Sequence, residues 1–233
     1  MNVLITGGTS GIGKCLVERF AREEFNVTFV GRNKERGSKV AKNTGATFIE
    51  ADISNVEGCQ IVFDEFYKDH KNCDVLINNA GLWTQGPLVQ AHLAEIQDVL
   101  AINTLAPIIL TRLFLERIES EVDKKNQNSA RIFFVNSMAG LNAKADRSVY
   151  FASKWAITGF ARSLSMELSP KNIAVTNVCP GYINTELFDN GGYPRDSSDA
   201  LDPNAVADSI FYAATLPDGV QVGEITIKPT KYI

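Results

Sequence analysis

At 233 residues, with 45% hydrophobic and 21% charged side chains, the chain has a globular composition and the length for a sizeable core. A net charge of −4 excludes a basic face that would make nucleic acid the main partner, and four scattered cysteines with two distant histidines, His70 and His92, form no disulfide framework or metal cluster. No run of about 20 apolar residues marks a membrane span, and the strand pattern begins at Val3 with no signal peptide before it, so a soluble, reducing, cytoplasmic setting is expected.

Strand and helix patterns alternate from the start. Asn2–Thr6 reads as a strand, followed by a glycine-rich turn and a helix over Ile12–Glu24 whose apolar stripe includes Cys15, Leu16, Phe20 and Ala21. Asn26–Val30 is a strand, Lys34–Asn43 a helix, Thr47–Glu50 a strand and Val56–Tyr67 a helix. Further strands read at Asp74–Ile77, Arg131–Val135, Ala174–Val178 and Glu224–Ile227, with helical patterns at 90–118, 149–169 and 203–215. The strands are continuous apolar runs, which marks burial on both faces of a parallel sheet. Alternating units of this kind build a doubly wound α/β sheet with helices on both sides. No linker or repeat divides the chain, so one domain over residues 1–233 is expected. Glu119–Ala130 is polar and reads as an exposed loop or frayed helix end. Glu186–Asp199, with Asn190-Gly191-Gly192-Tyr193-Pro194, has turn chemistry; it is either a cover over a site at the carboxyl edge of the sheet or a plain surface loop.

Thr6-Gly7-Gly8-Thr9-Ser10-Gly11-Ile12-Gly13 joins the first strand to the first helix. Four glycines in seven residues let backbone approach a ligand closely, and free N–H groups at a positive helix end favour a pyrophosphate. About twenty residues on, an NAD site would carry an acid at the end of the second strand. Here the stretch is Val30-Gly31-Arg32-Asn33-Lys34. A guanidinium suits a 2′-phosphate through charged, forked hydrogen bonds, so Arg32 points to NADP rather than NAD, unless it is only a solvated strand-end charge.

Tyr150 and Lys154 lie four residues apart in the fifth helical pattern, 149–169, with Ser137 thirteen residues upstream. Residues four apart share a helix face, and a cation beside a phenol favours the phenolate. Such a tyrosine can move protons at neutral pH. The spacing alone also occurs by chance on many helices.

With these motifs in order, the chain resembles the short-chain dehydrogenase/reductases over essentially its whole length. The glycine turn is Thr6 to Gly13, with Gly7, Thr9, Ser10, Gly11, Ile12 and Gly13 as cofactor contacts. Arg32 and Asn33 follow the second strand. The adenine-contacting acid matches Asp52, followed by Ile53; the N-N-A-G motif is Asn78-Asn79-Ala80-Gly81; the helix asparagine is Asn103; and the catalytic serine is Ser137, preceded by Asn136 where the family often has serine. Y-x-x-x-K is Tyr150 to Lys154, and P-G-x-x-x-T runs from Pro180 and Gly181 through Ile183 to Thr185.

The resemblance implies a seven-stranded parallel sheet in the order 3-2-1-4-5-6-7 and hydride transfer between NADP(H) and a small-molecule carbonyl or secondary alcohol. Tyr150 would be the general acid/base, Ser137 the hydrogen-bond donor to the oxygen, and Lys154 the group that lowers the tyrosine pKa and binds ribose. Asn103 would hold a relay water, and Thr185 with the Ile183 backbone would fix the carboxamide. A homodimer or homotetramer is implied. Trp83, Met138, Tyr182, Leu187, Phe188 and Tyr193 either line a substrate pocket or are ordinary packing; the absence of obvious pocket charges favours a neutral or apolar substrate. An NAD-linked sugar or hydroxy-acid dehydrogenase and a non-catalytic dinucleotide-binding regulator are the competing readings.

Overall fold

The computed structural model describes residues 1–121, 130–187 and 199–231. Among them, seven strands form one parallel sheet in the order β3-β2-β1-β4-β5-β6-β7. These are β1 (Asn2–Thr6), β2 (Asn26–Gly31), β3 (Thr47–Glu50), β4 (Val75–Asn78), β5 (Arg131–Val135), β6 (Ala174–Pro180) and β7 (Glu224–Ile227). The helices are α1 (Gly11–Arg22), α2 (Lys34–Thr44), α3 (Val56–Asp69), α4 (Leu93–Leu100), α5 (Ala106–Glu121), α6 (Ser148–Leu168) and α7 (Pro203–Ala214). The strand order and parallel pairing are those expected from the motifs; the limits of β1, β3, β5 and β7 are as expected, and other limits differ by up to three residues.

The side-chain period of two, with a core on each face, explains why the central strands are mostly continuous apolar runs. Leu4, Leu76, Ile132 and Phe134 point into a core closed by Val62, Phe63 and Phe66 of α3, Leu110 and Phe114 of α5, and Ile157 and Leu164 of α6. Their neighbours Val3, Ile5, Val75, Ile77, Phe133 and Val135 point to the opposite face, against Leu16, Val17 and Phe20 of α1, Val40 of α2 and Val206 and Ile210 of α7. A polar residue on a central strand would therefore meet one core or the other.

The helical pattern at 90–118 is broken in the structure. A short 3-10 turn at Leu88–Gln90 precedes α4, and a π-turn at Ala101–Leu105 separates α4 from α5. The run Leu93–Ser120 is long and apolar enough by length and composition to cross a membrane, which corrects the expectation that no such stretch exists. Its apolarity serves packing: Ile102, Ala106, Leu110 and Phe114 lie in the core. The polar stretch expected from Glu119 begins as the last turn of α5, and its residues 122–129 lie outside the described residues. So do 188–198, most of the expected cover, including Phe188 and Tyr193.

The register sets Thr6 beside Val30, Asn78 beside Phe134, Val135 beside Val178 and Pro180 beside Ile227. The strands thus finish along one edge, where the glycine turn, Asn79, Ser137 and Gly181 follow them.

Candidate active site

Along that edge runs a cleft of about 460 Å³. One end is lined by Gly7, Thr9, Ser10, Gly11, Ile12 and Gly13, and the other by Ser137, Tyr150, Lys154 and Leu187.

The turn is built for close approach. Gly7 and Gly11 have φ of +68° and +51°, in the left-handed region that favours glycine. A Cβ on Gly13 would stand 2.1 Å from the Gly7 carbonyl oxygen and 2.5 Å from Asn79 Nδ2. That crowding reflects a stitch between β1 and β4. Asn79 Nδ2 donates to the Thr6 and Gly7 carbonyls, and the Asn79 and Ala80 N–H groups donate to Thr6 Oγ1. Helices α2, α3 and α7 are capped by Asn33, Asn55 and Asp202 side chains. At α1, Ser10 makes no side-chain cap and the first turn holds no acid. Its first-turn residues line the cleft, and neither a side-chain cap nor a first-turn acid takes up the positive helix end, which fits a pyrophosphate.

Beyond the turn, Arg32 is exposed, lines the cleft, and has no hydrogen-bond or ion-pair partner among the described residues. Asn33 does not line the cleft; its Oδ1 accepts from the Arg36 N–H at 2.9 Å and caps α2. Arg36, which the sequence reading passed over, pairs at 2.6 Å with Glu186, a cleft-lining residue from the segment after β6. Asp52 lines the cleft, and its Oδ1 accepts from the Ser54 N–H at 3.0 Å; Ile53 beside it is buried.

At the other end α6 presents Tyr150 and Lys154, 4% and 5% exposed, on one face. Lys154 Nζ lies 5.8 Å from the Tyr150 ring centroid and donates to the Val135 carbonyl at 3.3 Å. Burial disfavours its charge and lowers its pKa from 10.5 to about 8. Ser137 follows β5, and its Oγ accepts from the Ala139 N–H.

Asn103 does not line the cleft; it lies in the π-turn, a helix irregularity common at functional sites. Its Oδ1 accepts from the Leu82 N–H at 2.7 Å, and its Nδ2 donates to the Leu82 carbonyl and to Ser153 Oγ. The side chain therefore clamps the loop after Gly81 onto α6. A Cβ on Gly81 would sit 3.5 Å from Asn103 Oδ1 and 3.8 Å from Lys154 Nζ, so glycine leaves a space that both atoms face.

Asn136 anchors the floor. Its Nδ2 donates to Thr158 Oγ1 and Asn177 Oδ1, and Asn177 in turn donates to Cys179 Sγ and Glu224. Burial pushes the Cys179 thiol up to about 12, so it stays neutral beneath Lys154. The departure from serine at position 136 thus has a use that only tertiary partners reveal: an amide spans α6 and β6, which a hydroxyl is too short to do.

Asn79, Ala80, Gly81, Pro180, Gly181, Ile183 and Thr185 all line the cleft between its ends, with Thr185 Cγ2 3.2 Å from where a Gly11 Cβ would be. Trp83 and Leu187 line it as well, whereas Met138 and Tyr182 do not.

Residues 1–193 match the sequence family described as short chain dehydrogenase. Carbonyl reductase family member 4 of Xenopus tropicalis is 28% identical over 221 residues, covering 91% of this chain and 90% of that protein. A serine dehydrogenase solved in its closed form with NADP+ superposes with a TM-score of 0.86 at 25% identity, covering 97% of this chain and 94% of that one. A metagenomic short-chain oxidoreductase in complex with NADP gives 0.84 at 27% identity, covering 100% and 98%. With the family matched over most of its length and the sheet order to go with it, this chain belongs to the short-chain dehydrogenases, a family of oxidoreductases.

Proposed function

We propose that the protein is an NADP(H)-dependent oxidoreductase interconverting a small carbonyl compound and its secondary alcohol, with Tyr150 as general acid/base. The observation that carries this reading is the buried Tyr150–Lys154 pair opening into the same cleft as Ser137 and the uncapped α1 turn. The dinucleotide fits the residues present. The α1 N–H groups would take the pyrophosphate, Asp52 and Ile53 the adenine, and Arg32 the 2′-phosphate. Lys154 would hold the nicotinamide ribose, and the Ile183 backbone with Thr185 the carboxamide. When bound, the cofactor supplies or accepts the hydride.

The chain's own task is the proton. As charge grows on the substrate oxygen, Tyr150 donates its phenolic proton and the Ser137 hydroxyl donates a hydrogen bond that steadies the developing anion. Lys154 as an ammonium makes the phenol a better donor. Asn103 Oδ1 and Lys154 Nζ both lie within 4 Å of the point where a Cβ on Gly81 would stand. A water there would pass a proton between Lys154 and solvent, which gives Asn103 its relay role without direct contact with substrate.

Screening aldehydes, ketones and alcohols with NADPH, NADH and their oxidised forms, following nicotinamide absorbance, tests the proposal. Turnover that prefers the phosphorylated cofactor supports it. Tight NADPH binding with no turnover on any compound overturns it in favour of a binding protein, and a clear NADH preference overturns the cofactor assignment.

Leu93, Leu100 and Leu105 along α4 and the π-turn, and Trp155 and Met166 on α6, are exposed although they are large and apolar. These neighbouring helices would pair across a two-fold axis in a homodimer or homotetramer. Light scattering reads the mass directly, and a monomer at micromolar concentration refutes the assembly. The apolar run of α4 and α5 then serves the core and a subunit contact, in one folded domain in the cytoplasm.

A further inference from the structure

We infer that Trp83 fixes the substrate class, confining the proposed reaction to compact carbonyl compounds by walling the catalytic cleft off from a second cavity. The inference rests on the carbonyl–alcohol reading above and goes beyond it. Three groups lie in series. The Trp83 ring centroid is 4.4 Å from that of Tyr150, with the planes inclined at 54°. The Arg147 guanidinium carbon lies 5.5 Å from the Trp83 ring. Trp83 lines the catalytic cleft, whereas Arg147 lines a separate cavity of about 210 Å³ with Thr84, Gln85, Leu88, His92 and Glu95. The indole, backed by the Arg147 guanidinium, thus stands between a space that holds Tyr150 and one that does not.

The partition is held firmly. Trp83 is 8% exposed and packs in one cluster with Ala139 and Tyr150, flanked by Phe151 and Leu187. The loop carrying it is pinned twice: the Gly86 N–H donates to the Asp146 carbonyl at 2.6 Å, and the Thr84 hydroxyl donates to Glu95 of α4. Asp146, at φ +59°, immediately precedes Arg147, so the same bond fixes the backing of the indole. A carbonyl compound placed with its oxygen at Tyr150 meets the indole on this side. One substituent must therefore be small, and length cannot be gained by running into the second cavity. Replacing the indole by a methyl group would leave only the Arg147 side chain in the wall and extend the cleft toward the second cavity.

The test compares kcat/KM with NADPH for methyl ethyl ketone and for valerophenone in wild type, Trp83→Phe and Trp83→Ala. The valerophenone-to-methyl ethyl ketone ratio should rise at least tenfold in Trp83→Ala, with Trp83→Phe between it and wild type. A ratio that stays within twofold of wild type overturns the partition. Binding keeps the question open to measurement without turnover. By calorimetry on the NADP+ complex, valerophenone should bind Trp83→Ala at least tenfold more tightly than wild type, and equal affinities refute the inference. If no carbonyl compound is turned over by any form, the proposed function fails, while the binding comparison still decides the partition. If Trp83→Ala loses cooperative unfolding, Trp83→Leu carries the same two comparisons.

Discussion

At the β1–β2 end of the cleft the ligand-facing surface is backbone: a glycine turn with two left-handed residues, an uncapped helix and a carbonyl that would collide with any Cβ on Gly13. At the far end the surface is side chains on loops, with Trp83, Ser137 and Leu187 gathered around Tyr150. A backbone surface tolerates few substitutions, because each added atom meets a main-chain neighbour. A side-chain surface can be rebuilt one residue at a time. The first end is suited to one constant ligand, and the second to a substrate that differs from one relative to another.

The sharpest way to break this contrast lies at the side-chain end. Tyr150→Phe removes the proton without altering the packing against Trp83, and kcat should fall about a thousandfold or more, since a positioned general acid contributes roughly 10²–10⁴. NADPH affinity, read by fluorescence, should stay within about threefold, because the phosphate end is remote. Retained turnover would remove Tyr150 from the chemistry. Next is Gly13→Ala at the backbone end. Its methyl group would lie 2.1 Å from the Gly7 oxygen, and the turn must move. A loss of about 3 kcal/mol in urea unfolding, with NADPH binding abolished, is expected. Unchanged stability would mean the turn is softer than its hydrogen bonds to Asn79 indicate.

Lys154 tests the cost of the catalytic end. Its charge is buried, and the fall in pKa from 10.5 to about 8 corresponds to about 3 kcal/mol. Between about pH 8 and 10.5 the unfolded chain binds more protons, so this group makes stability rise with pH across that window; below about 8 the whole penalty is present. Lys154→Met in the cofactor-free protein should therefore be more stable than wild type by up to about 3 kcal/mol at pH 7. The difference should shrink as pH approaches 10.5, and activity should be lost throughout. Denaturant unfolding at pH 7 and pH 10 reads both; a variant less stable than wild type at pH 7 would show that the ammonium is held by more than the Val135 carbonyl.

How far the sequence discloses the site follows the same division. The glycine turn is legible because left-handed φ and close approach admit essentially one residue type; continuous apolar runs mark the buried strands, and their order follows from the family resemblance. Helix spacing puts Tyr150 and Lys154 on one face, and they become legible as a site only together with the other family motifs. The Asn136 network, the Arg36–Glu186 pair and the Trp83–Arg147 stack are not, because each joins residues 22 to 150 positions apart whose types carry no signature alone. The π-turn at Asn103 escapes for a different reason: its residues, Ala-Ile-Asn-Thr-Leu, continue a helical apolar pattern, and only the clamp to Leu82 shows why the helix opens there.

The smallest effects come from separating two functions that meet at the end of β2. Arg32→Ala should weaken NADPH binding by about 1–3 kcal/mol, the range for lost charged hydrogen bonds, and leave NADH alone. Asn33 is subtler, because its Oδ1 is already engaged in capping α2. Asn33→Ala should cost about 1 kcal/mol of stability through the lost cap. Asn33→Asp keeps an acceptor for the Arg36 N–H and adds a carboxylate that suits a helix N-terminus, so stability should hold within about 0.5 kcal/mol. The same carboxylate stands next to Arg32 in sequence and would repel a 2′-phosphate, so NADPH affinity should drop several-fold while NADH affinity does not. A parallel fall for both cofactors in Asn33→Asp would show that the residue acts on the shared part of the dinucleotide. A fall in neither would place the 2′-phosphate beyond its reach and leave Arg32 as its sole discriminator at this position.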